Sequence, residues 1–142
     1  MLKGISPILS PDLLKILREM GHGDTIVLAD GNFPGASLAQ RLVRLDGHGC
    51  VPVLEAILRL MPLDSYVEEP VKLMAVTPGD PVETPIWDEY RSVVAAHEPD
   101  KKIGFAERFE FYDLAKQAYC VVQTGEKALY ANLILKKGVV CE

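Results

Sequence analysis

His22 and Asp30 stand at the two ends of one short apolar run, TIVLA from Thr25 to Ala29, inside the stretch GHGDTIVLADGNFPGAS that spans Gly21 to Ser37. An imidazole, with a reference pKa of about 6.5, exchanges protons readily near neutrality, so His22 is the candidate for proton transfer. A histidine just past a helix end is also accounted for by the helix dipole alone. Asp30 leaves the apolar run at its carboxyl end, the edge at which open α/β sheets bind ligands. Capping of the GNFPG turn would equally explain an aspartate there.

Other polar groups reach the same edge once strands are laid side by side. Arg108 follows a strand that begins near Ile103, while Tyr130 and Asn132 open a return strand. Together with Asp30 they can converge on one site. Taken one at a time, Arg108 reads as a surface ion pair with Glu107 or Glu110, and Tyr130 and Asn132 as strand-edge hydrogen bonds. The sequence holds no phosphate-binding glycine loop, no HExxH and no nucleophile elbow, and His22, His48 and His97 lack metal-ligand spacing. Neither a cofactor nor a metal is implied.

The elements that must position these groups alternate. SPDLLKILREM from Ser10 to Met20 has a capping serine, a first-turn proline and an apolar stripe of Leu13, Leu14, Leu17 and Met20, and Gly21 ends it. Thr25 to Ala29 reads as a strand buried on both faces. A short helix from Ala36 to Arg41, a strand from Leu42 to Leu45, a helix over 51 to 61 and a strand from Val71 to Val76 follow. The spacing then predicts a helix from Ile86 to His97, a strand running into a turn over KIGFAERF, a helix over FYDLAKQAY, and strands CVVQT and YANLIL. Strands alternating with helices favour a mostly parallel sheet covered on both sides, a three-layer αβα architecture in an α/β fold. The last two strands, joined by a short turn, are expected to pair antiparallel.

With 142 residues, 49% hydrophobic and 25% charged, the chain has the size and composition of a single globular domain covering 1 to 142. A net charge of -5 offers no field for nucleic acid or anionic lipid. No apolar run approaches the roughly 20 residues of a membrane span, and no secretory signal pattern opens the chain. Cys50, Cys120 and Cys141, odd in number and far apart, read as reduced thiols, so the expected setting is cytoplasmic.

Three segments carry a resemblance at matching spacing: GHGDTIVLADGNFP, ERFEFYDLAKQAY and TGEKALYANLILKKGV. They are similar to the ribose pyranase and fucose mutarotase family, and the opening MLKGISPILSPDLLKILREMGHGD resembles its fucose branch in particular. Asn32, Phe33 and Pro34, together with arginine rather than histidine at position 108, also point to the fucose branch; Gly31 departs from the alanine expected there. The resemblance implies a cofactor-independent isomerase that interconverts the α and β anomers of a free monosaccharide, L-fucose first, within a ring-like homo-oligomer such as a decamer. By position, His22 matches the family's proton donor, and Asp30, Arg108, Tyr130 and Asn132 match sugar-binding residues.

The chemistry is consistent with the residues themselves. Ring opening needs one proton delivered to the ring oxygen and one taken from the anomeric hydroxyl, the latter by Asp30, Tyr130 or water. Ionised and neutral side chains of this set can hold vicinal hydroxyls. His22 and Asp30 lie eight residues apart, up to about 26 Å at roughly 3.3 Å per strand residue, which is wider than one sugar. The expectation is therefore a site at a subunit interface, with His22 from one copy facing Asp30, Arg108, Tyr130 and Asn132 of its neighbour. A ribose pyranase, a mutarotase for another sugar, and a non-catalytic sugar-binding oligomer are the competing readings.

Overall fold

The computed structural model describes residues 1–142. Helix α1 covers Pro11–Glu19, strand β1 Thr25–Ala29, and the single-turn helix α2 Gly35–Leu38. They are followed by β2 (Leu42–Leu45), α3 (Cys50–Leu58), β3 (Val71–Met74) and α4 (Ile86–His97). The last elements are β4 (Ile103–Ala106), α5 (Arg108–Gln117), β5 (Cys120–Thr124) and β6 (Leu133–Lys136). Ser10 caps α1 through its side chain, which accepts the Leu13 N–H at 3.2 Å.

Six strands form one sheet in the order β2-β5-β1-β6-β3-β4. The pairs β1 with β5, β2 with β5 and β3 with β4 are parallel, while β6 runs antiparallel to both β1 and β3. The mostly parallel sheet and its antiparallel last strand are thus as the sequence predicts. The partner is different: β6 does not pair with β5. Residues 125–132 carry the chain across the carboxyl end of β1, and β6 fills the gap between β1 and β3. The eight-residue connection leaves room for this because Tyr130 to Asn132 lie before the strand and not in it.

Helices cover both faces. Leu13, Leu54, Ile57 and Tyr90 of α1, α3 and α4 pack with Ile26, Leu28, Leu133 and Leu135. On the other side Phe111 and Ala115 of α5, with Phe33, pack against Val27, Ala29, Val121 and Ile134. Successive β1 side chains therefore enter opposite cores, which is why TIVLA is apolar throughout. Each fully buried side chain of this size contributes about 1.5–3 kcal/mol of hydrophobic stabilisation.

Helix α5 begins earlier than its sequence suggests. Glu107 caps it, accepting the N–H groups of Phe109 (3.0 Å) and Glu110 (3.2 Å) through its carboxylate. Arg108 is therefore the first residue of a helix, and not part of a turn. No helix is long and apolar enough to cross a membrane.

Candidate active site

The carboxyl end of β1 is clamped from both sides by side chains of its neighbours. Gln123 and Thr124 at the end of β5 donate to the carbonyls of Asp30 (2.6 Å) and Ala29 (2.7 Å). From the other flank, Asn132 accepts the Asp30 N–H through Oδ1 at 2.7 Å. Asp30 is thereby held in place although only 4% of it is exposed.

The Asp30 carboxylate accepts the Asn32 N–H through Oδ1 (3.0 Å) and the Ala131 N–H through Oδ2 (3.4 Å). Burial pushes its pKa above the ordinary carboxylate value, and these backbone donors oppose the shift without cancelling it. Asn132 has spent its oxygen on the backbone. Its amide nitrogen has only the Met74 sulfur at 4.0 Å and is free to donate elsewhere.

Tyr130 is the one non-glycine residue with a positive φ, 53°. That left-handed turn is disfavoured for a side chain with a Cβ. It directs the phenol outward, where it donates to Asp80 Oδ2 at 2.6 Å and accepts the Thr77 N–H at 3.4 Å. Arg108 Nε donates to the Tyr112 hydroxyl at 3.1 Å, in place of the ion pair with Glu107 or Glu110 that the sequence would allow.

Asp30, Arg108, Tyr130 and Asn132 line a single cavity of about 340 Å³, with Phe33 and Met74 among its apolar walls. Phe33 is held edge-on against Phe111 and Tyr112, each with ring centroids 5.8 Å away. A small cavity with an apolar wall, a buried carboxylate, a guanidinium and two neutral hydrogen-bonding side chains has the chemistry of a polyhydroxylated ligand site. A larger cavity of about 490 Å³ lies at the opposite end of the sheet, around Gly23, Thr25, Lys72 and Lys136, and contains none of these four.

His22 is not brought to the cavity. It lies before β1, at the amino end of the strand whose carboxyl end carries Asp30, and the five residues of β1 alone span roughly 16 Å. Its turn is closed by Asp24, which accepts the Gly21 N–H through its carboxylate at 2.7 Å. Gly23 allows the turn by taking φ 88°, a conformation natural to glycine. His22 Nε2 lies 2.9 Å from Asp64 Oδ1, and its side chain remains 44% exposed.

Gln123, Thr124, Asp80, Tyr112 and Asp64 carry or extend these arrangements and escaped sequence reading. Gln123 and Thr124 had a legible signal, since they interrupt the apolar strand CVVQT at its carboxyl end. Asp80, Tyr112 and Asp64 had none, because their partners are reached only through the fold. No group of three or more His, Cys, Asp or Glu side chains is arranged to hold a metal ion. Burial pushes the Cys50 and Cys120 thiols up to about 11, so neither is a poised nucleophile.

Residues 3–140 match the RbsD / FucU transport protein family. The chain belongs to this family. It is similar to the fucose mutarotase of Homo sapiens, with 50% identity over 98% of this chain and 94% of that protein. It also superposes on a crystal structure of FucU from Bifidobacterium longum with a TM-score of 0.95 and 55% identity, covering 98% of this chain and all of that one. A crystal structure of the fucose mutarotase from Streptococcus pneumoniae in complex with L-fucose is 52% identical, with a TM-score of 0.95 over 99% of this chain and 100% of that chain. The membership agrees with the segments that carried the resemblance in sequence.

Proposed function

We propose that the protein is an L-fucose mutarotase, a cofactor-independent isomerase that interconverts the α and β anomers of the free sugar. The observation that carries this reading is the convergence of Asp30, Arg108, Tyr130 and Asn132 on one cavity, in a chain 52% identical to a mutarotase crystallised with L-fucose. The four bind the sugar. Asp30 and Arg108 form charge-assisted hydrogen bonds with hydroxyls, while the free Asn132 amide and the Tyr130 hydroxyl add neutral ones. Phe33 and Met74 suit an apolar substituent such as the methyl group of a 6-deoxy sugar.

His22 delivers the proton to the ring oxygen, and Asp30, Tyr130 or a water takes the proton of the anomeric hydroxyl. The C1–O5 bond opens to the aldehyde, which rotates and closes on its other face. Because His22 and Asp30 belong to opposite ends of β1, the complete site forms at a subunit interface, His22 coming from a neighbouring copy. Exposed apolar side chains at both places favour this arrangement: Tyr66 (82% exposed) beside His22, and Phe109 (64%) and Leu129 (50%) around the cavity. The assembly is a closed homo-oligomeric ring, a decamer, in the cytoplasm.

Saturation-transfer NMR on L-fucose tests the activity. The protein should speed exchange between the two anomers in proportion to its concentration, and His22→Ala should abolish the acceleration while sugar binding persists. Bound sugar with exchange unchanged by the wild-type protein would refute the enzyme, and faster exchange of ribose or galactose than of fucose would refute the specificity. Co-assembly of His22→Ala with Asp30→Asn subunits tests the shared site. Random reassortment should restore about a quarter of the wild-type rate; no recovery would refute an interface site.

A further inference from the structure

His22 and Asp64 are 42 residues apart in the chain and 2.9 Å apart in space, and the fold fixes both to the same short segment. The Gly23 N–H donates to the Lys137 carbonyl at 2.9 Å, and the Asp64 N–H to the Lys136 carbonyl at 3.0 Å. Leu63 and Lys137 form an isolated antiparallel bridge, and the Gly138 N–H donates to the Pro62 carbonyl at 2.8 Å. Two loops of remote sequence are therefore tied to the end of β6, which sets the imidazole against the carboxylate.

Asp64 is itself buried, its side chain 3% exposed, while that of His22 is 44% exposed. Asp64 Oδ1 also accepts the Tyr66 N–H at 3.1 Å, and the Tyr66 ring lies 5.1 Å from the imidazole centroid. Burial alone would raise the Asp64 pKa, but the Tyr66 N–H and His22 together hold it below the ordinary carboxylate range. An ionised carboxylate only accepts, so Nε2 carries the proton that points at Asp64.

We propose that Asp64 is the positioning residue of the reaction: it accepts the Nε2–H of His22, presents Nδ1 to the sugar of the neighbouring subunit, and stabilises the imidazolium that donates the proton. This rests on the role of His22 in the mutarotase reading above. In ring opening the His22 imidazolium, protonated on both nitrogens, gives its Nδ1 proton to O5 as the C1–O5 bond breaks and its electron pair goes to O5, which leaves the neutral Nε2–H ring. The anomeric O1–H gives its proton to the base, and C1=O1 forms. In closure the C5 hydroxyl returns its proton to Nδ1, and the base returns the other to O1. Nε2 keeps its proton, hydrogen-bonded to Asp64, throughout, so one nitrogen holds the ring while the other exchanges the proton, the arrangement an orienting carboxylate gives a catalytic histidine elsewhere.

The test combines the wild-type protein with Asp64→Asn. In wild-type protein labelled with 15N-histidine, the neutral His22 ring should be the Nε2–H tautomer. In Asp64→Asn the side-chain amide can donate to Nε2, so the Nδ1–H tautomer should appear. The anomer exchange rate should fall on the order of 10²- to 10⁴-fold with L-fucose affinity unchanged. An Nδ1–H tautomer in the wild-type protein overturns the proposal, whether or not the variant folds. A folded Asp64→Asn with the full exchange rate also overturns it. Full activity in His22→Gln would instead remove the role of His22 itself; an inactive His22→Gln beside a fully active Asp64→Asn would remove only the role of Asp64.

Discussion

Asn132 Oδ1 accepts the Asp30 N–H at 2.7 Å, joining residues 102 positions apart and fixing the exit of β1 beside the start of β6. The Asn132 side chain is buried, so the bond has no water to replace it. Asn132→Ala leaves the Asp30 N–H unpartnered and should destabilise the protein by about 1–3 kcal/mol, read from urea unfolding followed by circular dichroism. Sugar affinity should fall as well, because the free amide donor goes with the oxygen. A loss of affinity without any loss of stability would contradict the clamp.

Asp30 links stability to pH in a definite direction. Its folded pKa is raised by burial, so the folded state binds this proton more tightly than the unfolded chain does. The contribution is fully present below the unfolded value, near 3.8, and is lost as pH rises through the folded value. Asp30→Asn cannot titrate. The stability of the variant relative to wild type should therefore increase with pH across that window and then level off, while sugar exchange is lost. A relative stability that fell with rising pH would reverse the assignment.

Lys137 holds the segment that leads into His22. Its Nζ donates to the carbonyls of Leu17 (2.8 Å) and Met20 (2.5 Å), closing the end of α1 immediately before the GHGD turn. Lys137→Met keeps the apolar stem and removes the cap, at a loss of about 1–3 kcal/mol. Anomer exchange should slow while L-fucose affinity at the cavity is retained, as comparison of exchange rates with saturation-transfer difference intensities would reveal. Equal losses in both would place Lys137 in general stability only.

Tyr130 combines an unfavourable backbone with a useful hydroxyl. Tyr130→Phe removes the donor to Asp80 and the acceptor of the Thr77 N–H. Both contacts lie at the surface, so stability should change by less than about 1.5 kcal/mol. Sugar affinity should fall about tenfold. Tyr130→Gly should recover about 1 kcal/mol at φ 53° relative to an alanine there, and remain defective in binding. Unaltered affinity in Tyr130→Phe would exclude the hydroxyl from the site.

Much of the architecture was written locally. The Ser10 cap and Pro11 begin α1, TIVLA is β1, CVVQT is β5, and Ile86–His97 is α4, because capping, periodicity and turn residues act within a few positions. The start of α5 was less legible, since a glutamate serving as its cap resembles an ordinary turn residue. The partner of β6 was not legible at all. Its apolar residues suit either edge of β1 or β5, and only the path of residues 125–132 across β1 selects the slot beside β3.

For the candidate site residues the division is similar. The sequence alone named side chains whose types could do the chemistry, and placed His22 and Asp30 at the two ends of a strand too long for one sugar to bridge. Tertiary structure decided their company: it gathered Asp30, Arg108, Tyr130 and Asn132 around one cavity, clamped Asp30 with Gln123, Thr124 and Asn132, and set Asp64 against His22. The physical reason is range. Residue type and periodicity are properties of neighbours in the chain, whereas hydrogen bonds between residues 42, 93 or 102 positions apart exist only after the sheet has fixed which loops meet.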